Sequence, residues 1–192
     1  MTLASNSHRA KVTEQVRQWI EQKPIYLDTE TTGLDKASEI IEIGIVDWDG
    51  SILYQSYVKP ARPIPPSATA VHHITQDMVT SAPSWPAVWA GLRPLIYNRP
   101  IGIYNSEFDL RMMKQSMEQY RLPWREKFNA FDVMQYYSEY QGVWDSYQRG
   151  LKRFRLEDAG RHFNIALPNA HRATDDSLLT RAVMHAMAGL AY

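Results

Sequence analysis

The stretch IYLDTETTGLDKASEIIEIGIVDWDGSILYQSYV, Ile25 to Val58, sets the architecture. Ile25-Tyr26-Leu27 opens a short apolar strand. Ile41, Ile43 and Ile45 alternate with Glu42, Gly44 and Val46, which is the period of a second strand. Asp49-Gly50 reads as a two-residue hairpin turn, and Ile52 to Val58 returns as a third strand. Upstream, Val12, Val16, Trp19 and Ile20 recur at helical spacing, so about residues 9 to 22 form an amphipathic helix that Pro24 stops. Residues 1–23 are thus a helical extension ahead of a main domain, residues 24–192.

Downstream, Pro60, Pro63, Pro65 and Pro66 predict an extended loop. Ser84 to Ile96 reads as a helix with Trp85, Val88, Trp89 and Leu92 on one face. Pro100 to Tyr104 is a short buried strand, Ser106 to Tyr120 a helix, and Phe128 to Phe131 a fifth strand. Tyr136, Tyr140, Val143, Trp144 and Tyr147 share one face of a helix that runs through Gly142, and read as its buried side. Leu156 to Phe163 and Thr174 to Ala188 close the chain as helices. The order predicts an α/β domain whose five-stranded mixed sheet joins a hairpin-linked pair to parallel strands with helical crossovers, flanked by helices.

Composition sets the outer limits. The chain has 192 residues, 44% hydrophobic and 22% charged, as expected of one globular domain. With no cysteine, disulfide scaffolds, thiolate zinc sites and cysteine nucleophiles are excluded, and a reducing compartment is expected. No apolar run approaches the ~18 residues of a membrane span, and Met1 to Lys11 lacks a signal-peptide core. A cytoplasmic location follows as the expectation. The 21 basic and 21 acidic residues balance, whereas a nucleic-acid binder usually carries a basic excess. Carboxylates neutralised by bound metal would remove that objection.

Three polar clusters lie where strands end or helices begin, the usual location of sites in α/β domains. Asp28-Thr29-Glu30-Thr31-Thr32-Gly33 places Asp28 and Glu30 on one side of a strand, where they repel unless a cation lies between them. Asn105-Ser106-Glu107-Phe108-Asp109 opens a helix; its plain reading is that Asn105 or Ser106 caps it. His171-Arg172-Ala173-Thr174-Asp175-Asp176 opens another. A continuous helix would hold His171 and Asp176 about 140° apart, so the His must lie on the preceding loop for the two to converge. Asp28, Glu30, Asp109 and Asp176 together form a hard oxygen set suited to Mg²⁺ or Mn²⁺.

In this order the three clusters resemble the boxes of the DEDDh (DnaQ-like) family of 3′→5′ exonucleases, which includes proofreading epsilon subunits of bacterial DNA polymerase III and related stand-alone exonucleases. Val71-His72-His73-Ile74-Thr75 is similar to the family segment after its proline-rich loop. One departure is Tyr104, which stands where the family usually has His. The resemblance implies a ribonuclease H-like fold and hydrolysis of the terminal phosphodiester of DNA, releasing nucleoside 5′-monophosphates. It implies two divalent ions on Asp28, Glu30, Asp109 and Asp176, with His171 as the base. It also implies substrate contacts from Thr29, Thr31, Thr32, Gly33, Leu34, His72, Asn105 and Phe108, with Leu34 as a wedge against the terminal base. The absence of a long segment after Tyr192 suggests a free-standing enzyme. Lys59, Arg62 and the run from Arg149 to Arg155 are expected phosphate contacts. An exoribonuclease, a silent nucleic-acid-binding module and a phosphatase of small nucleotides are the alternative readings. Nucleic acid is the expected partner, DNA before RNA, with no membrane; oligomeric state is open, a homodimer included.

Overall fold

The computed structural model describes residues 3–166 and 171–192. Helix α1 (Leu3–Glu21) begins ahead of the apolar spacing and hands the chain through Pro24 to strand β1 (Ile25–Thr31). β2 (Ile40–Val46) and β3 (Ile52–Tyr57) follow, then two short helices, α2 (Pro66–His72) and α3 (Gln76–Val79). The remainder alternates: α4 (Trp85–Ile96), β4 (Ile101–Ile103), α5 (Ser106–Gln119), β5 (Ala130–Asp132), α6 (Val133–Gln141). A small hairpin of β6 (Trp144–Asp145) and β7 (Gly150–Leu151) precedes α7 (Leu156–His162) and α8 (Ala173–Ala188).

The main sheet has the order β3-β2-β1-β4-β5. β2 pairs antiparallel with β1 and β3, while β4 runs parallel to both β1 and β5. This is the expected five-stranded mixed sheet. Helices cover both faces. Ile25, Leu27, Ile43 and Ile45 pack with Trp85, Leu92 and Met112 of α4 and α5. Tyr26 and Val46 pack on the other side with Val12, Val16, Val183 and Met184 of α1 and α8. Each such fully buried aliphatic side chain contributes on the order of 2 kcal/mol. Because both faces are covered, every residue of β2 is buried, Glu42 among them.

Three local expectations are corrected. The β2–β3 connection is a three-residue loop, not a two-residue turn: Gly50 N–H donates to Asp47 O at 3.0 Å, Asp47 N–H to Ser51 O at 2.8 Å, and Gly50 has φ +90°. Pro66 is not in an extended loop; it occupies the first turn of α2, where its missing N–H has no cost. The helix begun at Val133 does not run through Gly142. Gly142 takes the left-handed conformation at φ +62° and ends α6. Tyr136 and Tyr140 therefore pack against the core, but Trp144 and Tyr147 are 66% and 95% exposed on the hairpin.

Candidate active site

Strand alternation puts Asp28 and Glu30 on the same side of β1 as Tyr26, facing the α8 layer. Asp28 lies opposite Gly44 and Glu30 opposite Glu42. A β-carbon at Gly44 would collide with the backbone of Ala173 and Thr174, so glycine is what allows α8 to rest directly on β2. Glu42 secures that contact. Its Oε2 accepts from Ala173 N–H at 3.0 Å, and Arg172 Nη2 donates to Oε1 at 2.6 Å and to the Tyr57 hydroxyl at 2.8 Å. Ser177 Oγ donates to Gly44 O at 3.1 Å. With its first turn so held, α8 brings Asp176 against β1. Asp28, Glu30 and Asp176 each present one carboxylate oxygen, all within 4.8 Å of one another.

Asp109 comes from the opposite layer, on α5, and lies outside that trio. Its Oδ1 accepts from the Thr29 hydroxyl at 2.6 Å. Asp132 holds the start of α5, accepting from Asn105 N–H at 3.3 Å and Ser106 N–H at 3.1 Å. The cap therefore belongs to Asp132; neither Asn105 nor Ser106 caps its own helix. Asn105 takes φ +68°, which turns the chain from β4 into α5.

The carboxylates of this cluster crowd one another in a buried setting. Burial, followed by the charges of Asp109, Asp176 and Glu30, raises Asp28 well above the usual carboxylate range. Burial and Asp176 push Glu30 up to about 8. Burial raises Asp176 to about 7, with Glu157 adding to the shift. Asp109 also rises to about 7 through burial, opposed by its hydrogen bond from Thr29. Asp176 Oδ1 is buried with no hydrogen-bond partner among the described residues. A donor set of hard, crowded oxygens with one acceptor unsatisfied fits a divalent cation.

Two clefts flank the cluster. One, of about 580 Å³, is lined by Leu34, Tyr104, Asn105, Phe108, Arg153, Glu157 and His171 among others. The second, of about 510 Å³, is lined by Thr29, Glu30, Thr31, Gly33, Leu34, Ser67, Val71, His72 and Phe108 among others. Leu34 and Phe108 line both and so form the ridge between them; Leu34 is 78% exposed. Arg111 braces this ridge, its guanidinium 5.3 Å from the Phe108 ring centre.

His171 lies on the loop before α8, at φ +46°, with Nε2 3.6 Å from Glu157 Oε1 on α7. Tyr104 does not leave a gap: its hydroxyl donates to Phe154 O at 2.9 Å. His72 is buried, and its Nδ1 accepts from Ile74 N–H at 3.0 Å, which leaves the proton on Nε2. Thr31 donates to Gly33 O at 2.7 Å, shaping the turn. Thr32 lines neither cleft; its Oγ1 accepts from Glu39 N–H at 2.9 Å. Glu42, Asp132 and Glu157 escaped the sequence reading. A glutamate inside an otherwise apolar strand was the signal for Glu42, whereas nothing local marks the other two.

The chain matches the Exonuclease (RNase_T) family model over residues 25–184. It is 35% identical over 186 residues to the uncharacterized exonuclease CP81 of Escherichia phage 186, covering 93% of this chain and 95% of that one. It is 31% identical over 168 residues to the DNA polymerase III subunit epsilon of Treponema pallidum (strain Nichols), covering 82% and 75%. Among solved structures, exonuclease X in complex with 5′ overhanging duplex DNA superposes with a TM-score of 0.60 at 26% identity, covering 87% of this chain and 93% of that one. The mixed sheet and its flanking helices are the ribonuclease H-like fold of such exonucleases.

Proposed function

The chain belongs to the RNase_T exonuclease family, nuclease hydrolases that act on nucleic acid, and from that premise we propose that it is a 3′→5′ exonuclease releasing nucleoside 5′-monophosphates from DNA. The observation that carries this reading is the convergence of Asp28, Glu30 and Asp176 beside the Leu34–Phe108 ridge. The DNA preference draws support from the epsilon-subunit relative and from the DNA-bound exonuclease X neighbour.

Two ions, Mg²⁺ or Mn²⁺, held by Asp28, Glu30 and Asp176 and completed by Asp109, would neutralise the phosphodiester and make the attacking water more acidic. The chain does the rest. Leu34 and Phe108 hold the terminal base at the ridge, while Thr31, Gly33 and His72 wall the second cleft around the terminal nucleotide. His171 takes the proton of the attacking water, and Glu157 stabilises the imidazolium that results. Thr29 holds the Asp109 carboxylate toward the cluster. The clamp of Glu42 on Arg172 and Ala173 fixes both His171 and Asp176 relative to β1.

The test is digestion of single-stranded DNA labelled at the 5′ end, with Mg²⁺, beside the same strand labelled at the 3′ end. A ladder of shortening 5′-labelled strands, with the 3′ label released at once as a mononucleotide, is expected. Release of the 5′ label first, or cuts within the strand without end dependence, would overturn the polarity. RNA of the same sequence in parallel decides the sugar preference.

A further inference from the structure

Gly142 ends α6 and turns the chain into the β6–β7 hairpin, pinned by Trp144 opposite Leu151 and by Lys152 N–H donating to Val143 O at 2.8 Å. The tip is ordered from within: Asp145 Oδ1 accepts from the N–H groups of Tyr147 and Gln148 at 2.9 and 3.1 Å. That leaves two large rings facing solvent, Trp144 at 66% and Tyr147 at 95% exposure. An indole and a phenol displayed on one short hairpin are costly to leave in water without a partner. Arg149, Lys152, Arg153 and Arg155 are exposed beside them, and none is ion-paired among the described residues. No acidic residue interrupts positions 149 to 155.

The hairpin is continuous with the site. Arg153 lines the cleft that holds Leu34, Phe108 and His171, and it also lines an adjoining groove of about 250 Å³ walled by Leu151 of β7 and by α6. The two carboxylates in that groove are engaged: Asp132 by backbone N–H groups, Glu139 by the Gln135 amide at 3.1 Å. Arg153 is the hairpin-side cation that lines the groove; Trp144, Tyr147 and Arg149 stand exposed on the hairpin beside it, and the Lys152 ammonium lies 5.2 Å from the Phe154 ring centre. Exposed rings next to cations free of ion pairs are the chemistry that holds a flexible polyanion with flat bases.

We propose that the β6–β7 hairpin binds the single-stranded nucleic-acid segment adjoining the terminal nucleotide, with bases on Trp144 and Tyr147 and phosphates on Arg149 and Lys152, Arg153 linking this track to the cleft. The inference rests on the exonuclease reading for which end of the strand enters the cleft, but binding by the hairpin is measurable without hydrolysis. The experiment measures Kd for oligothymidylates of 2, 4, 8 and 12 nucleotides, in Ca²⁺ to prevent cleavage, across a salt series. Wild type should tighten with length and then level off. Trp144→Ala/Tyr147→Ala should weaken the longer strands about tenfold or more and leave the dinucleotide unchanged. Separately, Arg149→Gln/Lys152→Gln should lower the salt slope by about 1 to 2. The two pairs test the idea independently, each with its melting temperature recorded, so poor folding of one does not decide the outcome. Unchanged length dependence and salt slope in both well-folded pairs would overturn the proposal. Hairpin-dependent binding by a wild-type protein that hydrolyses neither oligonucleotide nor a mononucleotide ester would support the hairpin track and sink the exonuclease reading instead.

Discussion

The hydroxyl of Thr29 donates to Asp109 Oδ1 at 2.6 Å, a bond that joins β1 to a helix packed on the opposite side of the sheet from α8. It holds one carboxylate at the site while the other three come together on the α8 side. Thr29→Val keeps the shape and removes the donor. A hydrogen bond to a charged group contributes about 1.5–3 kcal/mol, so a loss of roughly tenfold or more in exonuclease rate is expected, with Thr29→Ser near wild type. Steady-state rates across a Mn²⁺ titration check this; equal activity of Thr29→Val at every Mn²⁺ level contradicts it.

The crowded carboxylates set the pH behaviour of the metal-free protein. Glu30 titrates at about 8 and Asp109 and Asp176 at about 7 in the folded chain, against about 4 when unfolded. The folded state therefore binds more protons in that window, and its stability falls as pH rises from about 4 to about 8. Asp28→Asn or Asp176→Asn should flatten that fall and raise the metal-free melting temperature at pH 8 by about 3 °C or more, while abolishing hydrolysis. Thermal denaturation in chelator at pH 5 and pH 8 is the measurement. A wild type as stable at pH 8 as at pH 5 would contradict the electrostatic reading.

Metal loading should expel the protons those carboxylates retain. Calorimetric titration of Mn²⁺ at pH 7 in buffers of different ionisation enthalpy should show net proton release, smaller in Glu30→Gln. Heats independent of the buffer would mean that the cluster is already ionised.

His171 stands on a loop, 3.6 Å from Glu157, outside the cluster itself. His171→Ala should lower the rate by about 10²–10⁴ and leave Mn²⁺ binding intact. Asp175→Ala, at the neighbouring acid, should be mild. A His171→Ala rate within about twofold of wild type removes it from the role of base.

Gly44 is the position where space alone decides. Its β-carbon would meet the Ala173–Thr174 backbone, so Gly44→Ala must push α8 off β2. Overpacking of this kind costs about 1–3 kcal/mol, and here it also displaces Asp176. Activity should fall further than the shift in melting temperature explains; a variant with reduced stability and full activity would show that α8 tolerates the displacement.

Much of this protein is legible along the chain. The apolar run at Ile25, the period-two alternation around Ile43, and the helical stretches at Ser84 to Ile96 and Thr174 to Ala188 are local patterns, and they yield the mixed sheet and its flanking helices. The acids of the candidate site, Asp28, Glu30, Asp109 and Asp176, are also visible, because element ends are where sites in such folds are sought. Gly142 was a legible stop as well, since a glycine after a helical run is the commonest left-handed cap; reading through it hid the hairpin and the exposure of Trp144 and Tyr147. Tertiary structure alone decided the rest. Glu42 with Arg172 and Asp132 with Asn105 join residues 130 and 27 positions apart, and Thr29 with Asp109 joins residues 80 apart. Local periodicity reports which face of an element is buried, but not which distant atom meets it there. Those partners exist only once the sheet has closed and its two helical layers have docked.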